Sequence, residues 1–286
     1  MALEKTLAIF GHPLGHTMSP TLHNTAAEAL GAPYRFQAYD VPPAGLKDAV
    51  HGARAMGFGG LCITIPHKME VASLMNELSD DARLTGAVNV ITFEEDGRMI
   101  GHNTDGTGWL HSLRAETGAE PAGKRCLILG SGGAARAVAV KLAQCGAAHI
   151  EIRNRTPDKA KALARYLMDN AGAASAAGGP LADLEAAADD VDIIVNTTSQ
   201  GMTGDPEREA ASAIPEAAIP SGCICTDAVY NPLETAFLQA ARRRGAQTVR
   251  GVGWLVEQGA AAWKLWTGTE MPTDLVAQKV REALGG

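Results

Sequence analysis

One apolar run ending in a glycine turn constrains this chain more than anything else in it: Cys126-Leu127-Ile128-Leu129-Gly130-Ser131-Gly132-Gly133-Ala134-Ala135-Arg136. A buried strand, a tight turn and a helix start within so few residues read as the phosphate-binding elbow of a dinucleotide fold. Gly130 allows the turn, Gly132 lets backbone approach a pyrophosphate, and Ala135 lets the helix pack closely on the sheet. With Ser131, Gly133 and Ala134, the helix start offers unpaired N–H groups and a positive dipole end to an anion. Glycine turns also serve plain connections, so the residues that follow carry the decision.

A nicotinamide site without a 2′-phosphate usually shows an acidic residue at the end of the second strand, about twenty residues on. Here His149-Ile150-Glu151-Ile152 runs out into Asn154-Arg155-Thr156, and Lys159 follows. Glu151 lies inside the alternating run, so its side chain should point away from the loop. The strand end therefore presents a guanidinium, a hydroxyl and an amide, all suited to a phosphate. NADP(H) is the expected cofactor, rather than NAD.

The chain has 286 residues, enough for two ordinary cores, and the turn near its middle leaves a substantial piece before it. The net charge of -7 is interspersed, with no basic stripe, so nucleic acid is not an expected partner. No apolar run approaches the roughly 20 residues of a membrane span, and Met1-Ala2-Leu3-Glu4-Lys5 leads straight into a strand rather than a signal peptide. Cysteines 62, 126, 145, 223 and 225 lack Cys-x-x-Cys spacing, which reads as free, mostly buried thiols in a reducing, cytoplasmic compartment.

Before the turn, strands are expected at Thr6–Phe10, Tyr34–Val41 and Leu61–Ile65, and helices at Ser19–Leu30 and Gly45–Met56. Ser19 is expected as N-cap with Pro20 at the first helical position. Pro66 closes the third strand and His67 begins another helix. A hairpin follows, Val88–Phe93 with Arg98–Ile100 across Glu95-Asp96-Gly97. After a helix from Asp105 to about Glu116, strand–helix units repeat, with later strands at Val191–Asn196, Cys223–Asp227 and Thr248–Arg250. The Ala/Gly-rich stretch 171–179 reads as a loop. Helices close the chain at Trp254–Trp266 and Leu275–Leu284.

This pattern predicts an α/β protein with an N-terminal mixed α/β substrate lobe and a doubly wound, Rossmann-like NADP-binding lobe, with a deep cleft between them. The expected domains are 1–104 with 251–286, binding substrate, and 105–250, binding NADP. Glycines 101, 251 and 253 are candidate hinge positions.

Three polar clusters sit at strand ends of the first lobe, where open α/β sheets place ligands. In Gly11 through Asn24, the hydroxyls of Thr17 and Ser19 meet a helix N-terminus, which suits a carboxylate; the plain reading is an ordinary helix cap. A metal site from His12, His16 and His23 is the sharper alternative, but the loop breaks regular ligand spacing and no acidic or thiol partner is near, so no metal is expected. In Ile63-Thr64-Ile65-Pro66-His67-Lys68, a lysine follows a buried strand. In Gly101-His102-Asn103-Thr104-Asp105-Gly106, Asp105 could merely cap the next helix.

Taken together, these segments resemble the shikimate dehydrogenase family over nearly the whole length. Gly86-Ala87-Val88-Asn89, Asn196-Thr197-Thr198-Ser199, Asp227-Ala228-Val229-Tyr230-Asn231-Pro232 and Gln258-Gly259-Ala260 add to the match. The resemblance implies NADPH-dependent, reversible reduction of 3-dehydroshikimate to shikimate, in aromatic amino acid (chorismate) biosynthesis. It implies Lys68 and Asp105 as the catalytic pair at the C3 oxygen. Thr17, Ser19 and Tyr230 would hold the carboxylate, and Thr64, Asn89 and Gln258 the ring hydroxyls. Asn154, Arg155 and Thr156 would take the 2′-phosphate, with Lys159, Thr197, Thr198, Ser199 and Gly251 as further cofactor contacts beside the Gly130–Ala134 turn. Where the family usually has serine this chain has Thr17, and where it usually has methionine near the nicotinamide it has Trp254. The other readings are a quinate or aminoshikimate dehydrogenase with the same lysine–aspartate chemistry, and a non-catalytic NADPH-binding sensor. Beyond the small-molecule substrate no partner is implied, and a homodimer stays open.

Overall fold

In a computed structural model, the description covers residues 4–15 and 17–286, with only the backbone of residue 183. The chain divides into two compact units: one takes the residues up to Asp105 and returns at Val256–Gly285, and the other is Gly106–Leu255. Among the described residues, no helix is long and apolar enough to cross a membrane.

The first unit is built on strands β1 (Lys5–Gly11), β2 (Tyr34–Asp40), β3 (Gly60–Ile63), β4 (Glu77–Leu78), β5 (Val90–Phe93) and β6 (Met99–His102), with helices α1 (Ser19–Leu30), α2 (Leu46–Ala55) and α3 (Asp80–Thr85). The sheet order is β2-β1-β3-β5-β6-β4. β1 runs parallel to β2 and β3, while β5 is antiparallel to both β3 and β6. Ala8, Phe10, Leu61, Ile63 and Ile91 on the strands pack with Leu46, Val50 and Ala53, the apolar face of α2. Burying these side chains contributes roughly 1.5–3 kcal/mol for each large residue.

α4 (Asp105–Thr117) leads into the second unit, whose strands are β7 (Arg125–Leu129), β8 (His149–Asn154), β9 (Ala176–Pro180), β10 (Ile193–Asn196), β11 (Ile224–Asp227) and β12 (Gln247–Val249). Its helices are α5 (Gly133–Gln144), α6 (Pro157–Asn170), α7 (Leu184–Ala187), α8 (Pro206–Ala210) and α9 (Ala236–Arg243). Every pairing is parallel, in the order β12-β11-β10-β7-β8-β9. That is the doubly wound order of dinucleotide-binding sheets, with the topological switch between β7 and β10. α10 (Gly251–Thr267) and α11 (Thr273–Ala283) end the chain, and α11 packs on α1.

Three expectations are corrected. Ser19 is not the N-cap of α1: Met18 takes that place without a side-chain cap, and Ser19 is the first helical residue. No α-helix begins at His67. The Lys68 carbonyl accepts from the Val88 N–H at 2.7 Å, so it is taken by the strand edge rather than by a residue four further on, and only a short 3-10 turn forms at Val71–Leu74. The stretch 171–179 is not all loop, because Ala176–Pro180 adds β9 to the sheet beside β8. Its small residues serve packing rather than flexibility: a Cβ at Gly178 would lie 2.4 Å from the Ala160 backbone on α6.

Candidate active site

In the first unit, four strand ends meet along one edge of the sheet. β1 and β3 are parallel, so the segments after Gly11 and after Ile63 leave on the same side. β5 runs the other way, which brings its start to that edge, where Cys62 pairs with Val90 and Val90 with His102. Asn89 thus sits between the ends of β3 and β6, its carbonyl accepting from Ile63 N at 2.8 Å and its N–H donating to His102 O at 3.0 Å. Gly11 must lack a side chain here, because a Cβ would come within 2.4 Å of the Thr64 methyl.

Lys68 and Asp105 meet at this edge. Lys68 Nζ donates to Asp105 Oδ2 at 2.6 Å, and both side chains are largely shielded from solvent (17% and 9% exposed). A pair this shielded is hard to separate, since removing either partner strands the other charge in a poor solvent. The other carboxylate oxygen, Oδ1, accepts from Asn89 Nδ2 at 2.9 Å. The cap at the start of α4 is supplied by Asn103, whose Oδ1 accepts from the Asp105 N–H at 3.1 Å and whose amide donates to Ala87 O at 3.0 Å. Capping is therefore Asn103's task, and the Asp105 carboxylate is turned to Lys68. Cys62 on β3 is within the field of the pair; burial pushes its thiol up to about 12, outweighing the pull of the Lys68 ammonium, so it stays neutral.

Thr17 and Ser19 form a hydroxyl pair: Thr17 Oγ1 donates to Ser19 Oγ at 3.2 Å and accepts from the Ser19 N–H at 3.3 Å. The Thr17 hydroxyl thus serves the first N–H of α1, whose first turn has no acidic residue. Gln258 lies on α10 and its backbone carbonyl accepts from Thr104 Oγ1 at 3.0 Å. Of the three histidines, His12 pairs with Asp40 at 2.7 Å, His23 is buried among aromatic rings and His16 lies outside the described residues. Among the described residues no cluster could hold a metal ion.

In the second unit, Gly130 adopts φ +110°, and a Cβ there would sit 2.5 Å from Thr197 Oγ1, so only glycine brings the β7 turn against the loop after β10. Thr197 is tied to β7, its hydroxyl donating to Leu129 O at 2.7 Å. Thr198 Oγ1 donates to Asn196 Oδ1 at 2.7 Å, and Ser199 is exposed beyond it. Gly132 is the N-cap of α5, without a capping side chain and with no acidic residue in the first turn, which leaves the N–H groups of Gly133 and Ala134 to an anion.

At the end of β8, Glu151 is engaged inside the sheet by Arg153 at 2.9 Å and His149 at 3.2 Å, so no carboxylate stands at the strand end. Asn154 donates to Thr156 O at 3.0 Å and shapes the turn. Arg155 and Lys159 are exposed and make no ion pair among the described residues, and Thr156 begins α6 without using its hydroxyl as a cap. Two unpaired cations and a free hydroxyl fit the 2′-phosphate of NADP.

Tyr230 follows β11 on a loop anchored by Asp227, which accepts from Val229 N and Asn196 Nδ2 at 2.9 Å each and from Thr235 Oγ1 at 2.6 Å. Burial pushes the Asp227 carboxyl up to about 6, against these three donors. Gly251 packs on that loop; a Cβ there would be 2.3 Å from Val229 O. Gly101 and Gly253 are likewise held where a side chain would collide, so close packing accounts for all three candidate hinge glycines. Trp254 is buried. Thr104, Asn196 and Asp227 escaped the sequence reading as site residues; the signal available was a polar residue at the end of an apolar strand.

Fold and site together define a two-unit dehydrogenase class, with a lysine–aspartate pair in one unit and a dinucleotide-binding sheet in the other. Residues 9–91 match the shikimate dehydrogenase substrate binding domain, 113–215 the shikimate / quinate 5-dehydrogenase family, and 251–281 the shikimate 5'-dehydrogenase C-terminal domain. A shikimate dehydrogenase (NADP(+)) of Methanopyrus kandleri is 44% identical, over 99% of this chain and 97% of its own length. A shikimate dehydrogenase solved in complex with NADP+ superposes with a TM-score of 0.89 at 38% identity, covering 98% of this chain and 96% of that one. The ligand-free 5-ketofructose reductase of a Gluconobacter strain gives 0.87 at 34%, covering 99% and 100%. The chain belongs to the shikimate dehydrogenase family.

Proposed function

We propose that this chain catalyses the reversible, NADPH-dependent reduction of 3-dehydroshikimate to shikimate. The observation that carries the reading is the shielded Lys68–Asp105 pair at 2.6 Å, on the sheet edge where the Thr17–Ser19 hydroxyls and Thr64 also lie. NADPH, when bound, supplies the hydride. As the carbonyl carbon at C3 gains it, negative charge builds on the carbonyl oxygen, and the Lys68 ammonium stabilises that charge and gives up a proton to it. In the reverse direction Lys68 takes the proton from the C3 hydroxyl. Asp105 holds the amine in place, and its carboxylate is itself held by Asn89. Thr17 and Ser19, at the start of α1, bind the substrate carboxylate, a role the resemblance also gives to Tyr230. Thr64, Asn89 and Gln258 take the ring hydroxyls.

The cofactor residues are Gly130–Ala134 at the pyrophosphate, Arg155, Thr156 and Lys159 at the 2′-phosphate, and Thr197–Ser199 with Gly251 beside them. The absence of disulfides among the five cysteines supports work in the reducing cytoplasm.

The test is a rate comparison across shikimate, quinate and aminoshikimate with NADP and NAD. Shikimate with NADP should be fastest. The methyl that Thr17 adds to the usual serine crowds the carboxylate end, where quinate carries an extra hydroxyl, so quinate should be slower. Faster quinate oxidation would make the chain a quinate dehydrogenase, and NADPH binding without turnover of any of the three would make it a sensor.

A further inference from the structure

We propose that Thr104 is a positioning residue for the reaction, holding Asn89 and the Gln258 turn in register with Asp105. The argument is an inventory of donors and acceptors among residues of one unit. Asn89 is buried and has two amide hydrogens. One goes to Thr104 Oγ1 at 2.9 Å and the other to Asp105 Oδ1 at 2.9 Å. Its Oδ1 accepts from the Thr104 backbone N–H at 2.8 Å. Turning the amide over would set two donors face to face at that N–H, so the backbone of Thr104 fixes which way Asn89 points.

The hydroxyl of Thr104 then has a single hydrogen, and it donates to Gln258 O at 3.0 Å. The donors run one way, from Asn89 to Thr104 to the α10 carbonyl, and no link can reverse without breaking another. Asp105 is thereby gripped at both oxygens, by Lys68 at 2.6 Å and by an Asn89 that cannot rotate. Asn89 has one acceptor site left and no donor, so its main work is to orient the carboxylate, and its contact with substrate is limited to accepting from a hydroxyl. Thr104 touches no reacting atom in this scheme; it acts through Asn89 and Gln258.

This rests on Lys68 and Asp105 being the catalytic pair. Full turnover by Lys68→Ala would remove that assignment, whereas the variants below bear on Thr104 alone. Thr104→Val keeps shape and burial but removes the hydroxyl. Misplacing catalytic groups by up to an ångström costs up to about 100-fold, so kcat should fall roughly 10- to 100-fold, with shikimate KM changing by less than about threefold. NADP KM should be unchanged, and the solvent deuterium isotope effect on turnover should rise as proton delivery becomes slower. Thr104→Ser should restore most of kcat. If valine at this position prevents folding, Thr104→Cys, a weaker hydrogen-bonding group of serine's size, should fall between serine and loss. The proposal is overturned if Thr104→Val (or Thr104→Cys in its place) keeps wild-type kcat, if KM alone rises, or if Thr104→Ser fails to rescue.

Discussion

Among the described residues Lys68 pairs with Asp105 Oδ2 at 2.6 Å, and that contact sets the sharpest test at the scale of one residue. A positioned proton donor contributes typically 10²- to 10⁴-fold to rate, so Lys68→Ala should lower turnover by about that factor while NADPH affinity, measured by fluorescence titration, stays nearly intact. Equal loss of both would move Lys68 out of the chemistry. Arg155 supports a second test, because it is exposed just past the end of β8 and makes no ion pair among the described residues. A charge-assisted contact contributes roughly 1.5–3 kcal/mol, so Arg155→Ala should reduce the preference for NADP over NAD by about 10- to 100-fold; an unchanged ratio from initial rates would exclude the phosphate contact. Arg155 stands out locally, because it follows an apolar strand and a glycine turn precedes that strand, whereas Lys68 alone reads as an idle lysine and gains its role only from the resemblance of several segments together. Thr104 was legible in neither way, because its role depends on which buried groups face it: Asn89 is 15 positions away and Gln258 is 154.

At the scale of elements, strands with branched apolar residues announced themselves, as in Arg125–Leu129 and Ile193–Asn196. β9 did not, since Ala-Ala-Gly-Gly-Pro carries no β-forming side chain and is a strand only because α6 closes over it. The segment after Pro66 failed in the opposite sense: its local pattern suits a helix, and the Val88 N–H captures a carbonyl that the helix would need. In both, a partner distant in sequence overrides local preference. β9 also gives a stability test. Adding a Cβ at Gly178 puts it 2.4 Å from backbone that cannot turn aside. Overpacking of this kind costs typically about 1–3 kcal/mol, so Gly178→Ala should lower the denaturant midpoint accordingly. Ala177→Ser, at the exposed neighbouring position, should change stability by less than about 0.5 kcal/mol. Equal effects of the two would mean that β9 is not packed as described.

For the molecule as a whole, two buried titratable groups, one in each unit, respond to acid in opposite ways. His23 is fully buried, both ring nitrogens lack a hydrogen-bond partner among the described residues, and it stacks on Phe36 at 4.4 Å between centroids. Burial pulls its pKa down from 6.5 to about 3. The unfolded chain therefore takes up the proton first, so this stability is complete above pH 6.5 and is lost as pH falls toward 3, by about 1.4 kcal/mol per pH unit. Asp227 is the reverse case: with its carboxyl raised from 3.8 to about 6, the folded state holds the proton more tightly, and stability is gained as pH falls through that window. Between pH 6.5 and 4 the effect is about 3 kcal/mol for His23 and about 2 kcal/mol for Asp227, so in the intact chain the two largely offset each other. Separate variants should uncover them. His23→Leu should gain about 3 kcal/mol relative to wild type on acidification from pH 6.5 to 4, and Asp227→Asn should lose about 2 kcal/mol over the same range. Urea unfolding followed by tryptophan fluorescence reads both units, since Trp263 and Trp266 lie in the unit of His23 and Trp109 and Trp254 in that of Asp227. If the variants and wild type lose stability in parallel, neither ring nor carboxyl is desolvated as their burial requires, and the acid response belongs to the exposed carboxylates instead.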